Sequence, residues 1–288
     1  MDRAESPVPD RERIQKVLAA QGVGSRREVE AWIEAGRVTV NKQPARPGQA
    51  IGPRDEVRVD GRRIRLRWDG DAATQGVIYH RPAREGLRTA VEGGDRSSLD
   101  RLPRPAGGRW VPVSPMGLGE EGLEVFVNDG RLAAALMGRA DAISSEFSVR
   151  VRGDFDESRL AEVTESATGD DEARGHIEDI RYTGGEAVNR WAQVVTIGLR
   201  PRDLKRIFER CGIEANRIIR TRFGPISMDR SLARGVSRRL TQGEMATLVD
   251  CAGLEPQRKP RRAKPPSASS GARRAGRDGP TGNRKRGR

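Results

Sequence analysis

The amino-acid sequence predicts an α+β protein: a small N-terminal module, a larger domain with a mainly antiparallel sheet, and a disordered basic tail. Three observations predict it. Stretches with apolar residues at every second position stand beside stretches with apolar residues at i, i+3, i+4 and i+7, without regular alternation of the two. A polar stretch, "LRWDGDAATQ", separates the first 64 residues from the large domain. After Leu254 the chain turns to Pro, Arg, Lys, Gly and Ser with no apolar period, so it cannot bury enough surface to offset its ordering entropy. The expected organisation is a flexible start (1–11), a compact module (12–64), a linker (65–75), the large domain (76–254) and the tail (255–288).

Charge follows the same division. The 288 residues carry a formal net charge of +13. Residues 1–64 hold 13 Lys and Arg against 10 Asp and Glu, residues 65–254 hold 29 against 29, and residues 255–288 hold 12 against 2. A polyanionic partner is implied, with the tail as a flexible arm for phosphates, and the central domain cannot attract it by net charge alone. A solvated tail that only aids solubility has the same composition.

Several function classes drop out. No stretch approaches the 18 apolar residues of a membrane span, and residues 1–20 lack the apolar core of a signal peptide. Cys211 and Cys251 fit no zinc spacing, and His80 and His176 are isolated, so no metal, cofactor or His-based triad is expected. The expectation is a cytoplasmic monomer with reduced thiols.

In the N-terminal module, Ile14, Val17 and Leu18 form one helical stripe, which Gly22 and Gly24 end. Ser25 caps a second helix, Glu28 closes a capping box, and Val29, Trp32 and Ile33 face inward. Val38 and Val40 enter a turn at Asn41-Lys42, and Val57 and Val59 supply a later strand. Arg26 and Arg27 sit in the first turn of the second helix, where the dipole disfavours cations by roughly 0.3–1 kcal/mol. A phosphate bound at the free N–H groups there would reverse that conflict. Two solvated surface arginines would give the same local sequence.

The whole pattern, Ser25-Arg26-Arg27 followed by Gly36-Arg37-Val38-Thr39-Val40-Asn41-Lys42, closely resembles the alpha-L RNA-binding domain first known from a small-subunit ribosomal protein. The resemblance covers roughly 50 residues. It implies recognition of structured RNA by shape and phosphates, with Lys16, Arg26, Arg27, Arg37, Asn41 and Lys42 as the contacts.

In the large domain, Gly76–His80, Phe147–Val151 and Ala192–Gly198 read as strands. Arg202–Gly212 reads as a helix burying Leu204, Ile207, Phe208 and Cys211, and Thr241 with Glu244 opens another that buries Met245, Leu248 and Val249. With the module in front, this domain resembles the bacterial small- and large-subunit ribosomal RNA pseudouridine synthases. The matching stretches are Tyr79-His80-Arg81-Pro82-Ala83, Lys205-Arg206-Ile207-Phe208 and Arg222-Phe223-Gly224-Pro225-Ile226. The resemblance implies ribosomal RNA, free or in pre-ribosomal particles, as partner.

The family's catalytic segment reads Pro-Val-Gly-Arg-Leu-Asp, four residues, then Gly-Leu and, further on, Asn-Asp-Gly. Pro112-Val113, Gly122-Leu123 and Asn128-Asp129-Gly130 match it without a gap, and the aspartate position falls on Gly117. In the family that carboxylate attacks or deprotonates the ribose of a flipped uridine, without metal or cofactor. Ser114 and Pro115 stand where the family has Gly-Arg, Phe147 stands at the stacking tyrosine, Ser145 at a lysine, and Lys205 at the basic partner of the aspartate. Glu120 and Glu121 are the alternative carboxylates. At about 3.3 Å per residue an extended segment would hold Glu120 several ångströms away, more error than a near-attack geometry tolerates. The expected reading is an RNA-binding, catalytically degenerate relative; the alternative is an active synthase with a relocated carboxylate.

Overall fold

The computed structural model describes residues 11–66, 74–88, 97–153, 155–168, 175–186 and 189–254. The expected flexible start (all but Arg11), most of the linker and the basic tail lie outside these residues.

The first part of the chain opens with α1 (Ile14–Ala20) and α2 (Arg26–Glu34). Ser25 caps α2 with the expected box: its side chain accepts from the Glu28 N–H, and the Glu28 carboxylate accepts from the Ser25 N–H. β1 (Val38–Val40) pairs with the two-residue β2 (Gln43–Pro44) on one side and with β3 (Val57–Val59) on the other, and β4 (Arg62–Ile64) completes a four-stranded antiparallel sheet. The turn between β1 and β2 places Asn41 and Lys42 at φ 51° and 69°, the left-handed pair that a two-residue hairpin loop needs. Ile14, Val17, Leu18, Val29, Ile33, Val38, Ile51 and Val57 form the core, with Trp32 packed on its edge.

The rest is organised by one large sheet. Its strands are β5 (Gly76–Arg81), β6 (Glu121–Val127), β7 (Ser144–Arg152), β8 (His176–Glu186), β9 (Asn189–Ile197), β10 (Glu214–Phe223) and β11 (Ser237–Arg239). The spatial order is β8-β9-β7-β10-β6-β5-β11, with Val111–Pro112 added beside β6 and Ile226–Ser227 beside β10. All pairs are antiparallel except β6 with β10, which run parallel at Glu121–Gly122 and Ile219–Arg220. The molecule is therefore α+β with a mixed, mainly antiparallel sheet.

Helices cover the sheet in two groups. α4 (Leu160–Thr168) and α5 (Pro201–Arg210) close a core with Phe147, Val149, Val194 and Ile213. α3 (Gly130–Gly138) and α6 (Gln242–Cys251) close another over Ile78, Leu123, Val125 and Phe223. α5 buries Leu204, Ile207 and Phe208 completely, as its i, i+3, i+4 stripe requires. Thr241 caps α6 with Glu244 in the expected box; Leu248 is fully buried, while Met245 and Val249 are only partly covered. β6 is buried along its whole length although it carries two glutamates, Glu121 and Glu124. No helix among the described residues is long and apolar enough to cross a membrane.

Candidate functional site

The stretch from Pro112 to Glu124 enters the sheet through Gly122. Its φ is 108°, and a Cβ there would lie 2.3 Å from the Arg220 carbonyl oxygen and 2.6 Å from the Arg220 nitrogen. Only glycine allows the parallel strands this approach, so Gly122 fixes β6 against β10 and brings Arg220 beneath the preceding loop.

Arg220 is 4% exposed. Its guanidinium donates to Ser114 Oγ at 2.7 Å, to the Ser114 carbonyl at 3.0 Å and to the Leu123 carbonyl at 2.7 Å. Burial pushes its pKa down to about 10, against the pull of Glu124 and then Glu120. Arg81, also buried, donates to the Met116 carbonyl at 2.7 Å and to the Glu85 carbonyl. Between the two arginines lies Glu124, fully buried, with Oε1 3.7 Å from Arg81 Nη1 and 3.4 Å from the Met116 nitrogen. Its Oε2 is buried and has no hydrogen-bond partner among the described residues. Burial outweighs both arginines and raises its pKa above the usual carboxylate range.

Gly117 is exposed and its backbone is not left-handed, so a side chain fits there. The segment is not extended. The Glu120 N–H donates to the Gly117 carbonyl at 3.1 Å, closing a tight turn whose tip is the half-exposed Leu118. The Glu120 carboxylate folds back to accept from the Gly117 N–H at 2.7 Å, and a Cβ at 117 would lie 3.4 Å from the Glu120 carboxyl carbon. The extended geometry expected from sequence is thus corrected: the turn returns Glu120 to the place a side chain at 117 would occupy. Glu121 is held elsewhere, in a two-point ion pair with Arg217.

Two other expectations change. Lys205 forms its ion pair with Glu209 along the outer face of α5, 3.6 Å away, and Arg220 rather than Lys205 reaches residues 114–124. The reason is in α5 itself: with Leu204, Ile207 and Phe208 facing the core, position 205 faces out. Phe147 is opposite Arg220 across β7 and β10, so it does adjoin the loop's support, but at 1% exposure it belongs to the core and offers no open ring to a base. Ser145 is buried on the same strand.

The six candidate contacts of the N-terminal module divide. Arg37 is held by Asp60 at 2.6 and 2.8 Å and lies over the Trp32 ring, 5.4 Å from its centroid. Lys16 pairs with Glu12, and Asn41 ties the hairpin by donating to Asp55 and accepting from the Glu56 N–H. Arg26 and Arg27 are exposed on the first turn of α2 and enter no ion pair among the described residues; Lys42 is exposed on the hairpin turn.

No group of three or more His, Cys, Asp or Glu among the described residues is placed to hold a metal ion. The arrangement can present cations to an anion on one side and, on the other, a single part-exposed carboxylate beside a glycine.

Comparisons with known proteins set these geometries in context. Residues 12–57 match the S4 domain. Over 256 residues the chain is 36% identical to the ribosomal large subunit pseudouridine synthase B of Pseudomonas aeruginosa; the match covers 88% of this chain and 66% of that relative, just under two thirds of its length. Over 248 residues it is 34% identical to the protein of the same description from Escherichia coli O6:H1, with 85% of each chain covered. A crystal structure of a pseudouridylate synthase shares the fold, with a TM-score of 0.50 at 19% identity over 83% of this chain and 100% of the other.

Proposed function

We propose that this chain, which belongs to the family of ribosomal large subunit pseudouridine synthase B, binds structured ribosomal RNA through its S4 domain and does not isomerise uridine. The observation that carries the second half is Gly117. Aligned without a gap to the family's catalytic segment, it offers hydrogen where the reaction needs an oxygen nucleophile or base. Its surroundings support the same reading. Arg220, directly under the loop, is taken up by Ser114 and by backbone carbonyls, and the ring of Phe147 is closed to stacking. Glu124 and Arg81 fill the ground beneath with a buried charge network whose work is to hold the loop. A role in assembling or chaperoning ribosomal RNA in the cytoplasm fits a binder of this kind.

Mapping pseudouridine in ribosomal RNA from cells with and without the gene tests it. The expected maps are identical. A site that disappears with the gene would overturn the proposal.

One observation favours a second reading. The Glu120 carboxylate rests against position 117 and near Arg220, so a synthase with a relocated carboxylate is geometrically open. Its tether to the Gly117 N–H argues against free approach to a ribose, because attack would require that bond to break.

A further inference from the structure

The arginines of α2 do not stand alone. The turn from Ala20 to Gly24 packs on the loop before Trp110, and glycines make the contact: a Cβ on Gly22 would lie 2.4 Å from the Gly108 carbonyl oxygen, and one on Gly108 would lie 3.1 Å from the Ala20 carbonyl oxygen and 2.9 Å from that of Asn128. The loop is pinned from the sheet side as well. Asn128 Nδ2 donates to the Gly107 carbonyl at 3.2 Å, the Ala106 N–H donates to Gln75 Oε1 at 3.0 Å, and Arg239 donates to the Arg104 carbonyl at 3.0 Å.

This packing brings Arg109, from the sequence after the S4 domain, within electrostatic reach of Glu28 and Arg26 on α2, and the exposed Arg88 lies within reach of both Arg109 and Glu28. Among the described residues Glu28 is the carboxylate that acts on Arg109, and it already accepts a hydrogen bond from the Ser25 N–H. Arg109 is half-buried. Burial, then the like charge of Arg88, push its guanidinium below the usual range; Glu28 opposes the shift and Arg26 adds to it. None of the three arginines forms an ion pair among the described residues. A half-desolvated guanidinium crowded by two others is unfavourable until an anion neutralises it.

We propose that Arg26, Arg88 and Arg109 form one phosphate-binding seam, and that the backbone of a structured RNA crosses there from the S4 domain onto the large domain. The proposal rests on the RNA-binding reading above and adds to it a contact surface that the S4 domain lacks by itself. The three guanidinium groups come from three stretches of chain, of which the 104–109 loop is pinned on the turn before α2, so together they offer a backbone several phosphate contacts at one place.

The test uses the full chain and a ribosomal RNA hairpin titrated across a salt series, for the wild type, Arg88→Gln, Arg109→Gln and the double variant. Arg88 is exposed, so its variant keeps the test alive if Arg109→Gln folds poorly; thermal unfolding monitors that. The double variant is expected to bind at least about tenfold more weakly. Its salt slope should fall by about 0.7–0.9 for each phosphate no longer neutralised. Wild-type affinity and slope in the double variant would overturn the seam while leaving RNA binding in place; absence of binding by the wild type would overturn both. Inorganic polyphosphate at equal phosphate concentration should leave the complex intact. Displacement as efficient as by unlabelled RNA would overturn RNA as the occupant.

Discussion

Arg81 and Arg220 lie beneath residues 114–124 with their guanidinium groups bonded to carbonyls and to Ser114, whereas Arg26 and Arg27 stand exposed on the first turn of α2 with no ion pair among the described residues. The same side chain does opposite work in the two places. Turned inward, it fixes a loop, its N–H donors taken up by carbonyls and by Ser114. Turned outward at a helix start, it keeps its charge for a partner. Two groups of one residue type, set in one chain, are thus separated by burial: one group is bonded inside the fold and the other stands open to solvent.

The contrast can be tested at both ends. The largest effect is expected at Glu124. Glu124→Leu leaves Arg81 and Arg220 buried without a carboxylate between them, which should cost about 3–5 kcal/mol of stability in denaturant unfolding. Adding Gly117→Asp would set a second carboxylate beside that of Glu120, whose charge Arg220 already feels, and should return part of that loss; no recovery would show that position 117 and Arg220 are uncoupled. Gly117→Asp by itself is expected to give no pseudouridine in an RNA product assay, since Phe147 stays closed.

At the other end, Arg26→Ala with Arg27→Ala should weaken RNA binding by about tenfold or more, while Glu120→Ala should leave it unchanged in the same titration. Equal losses would mean that the loop, not α2, is the main contact. Ser114→Ala removes one bond from Arg220 and should cost about 1 kcal/mol, read as faster proteolytic cleavage within 114–120.

The smallest effect concerns Glu244, whose carboxyl is held down at about 2 by hydrogen bonds from Arg238 and from Thr241. Because the folded value lies below the ordinary 4.5, this clamp stabilises the fold above pH 4.5 and its contribution disappears as the pH falls toward 2. Part-exposed as it is, it contributes about 1 kcal/mol. The stability difference between the wild type and Glu244→Gln should therefore be greatest at neutral pH and vanish near pH 2.

Local signals made much of this legible in the sequence. Ser25 with Glu28 and Thr241 with Glu244 are complete capping boxes within four residues, and each opens the helix it announces. The apolar stripe of α5 is readable too, and it places Lys205 on the outer face. The features hidden from a sequence reading depend on partners far along the chain. Arg220 is one of three arginines in "RIIRTRF", and only its register against Gly122 turns it beneath the loop. Arg109 sits in a Gly- and Pro-rich stretch that reads as plain loop until Gly22 packs on Gly108. The turn at 117–120 was hidden because Gly117, Leu118 and Gly119 suit extended and bent backbone alike.

The most direct measurement is release of tritium from ribosomal RNA labelled at uracil C5, incubated with the purified full chain. None is expected above the level without protein. Release by the wild type that is lost in Glu120→Gln would contradict that expectation and assign the reaction to the carboxylate folded back on Gly117.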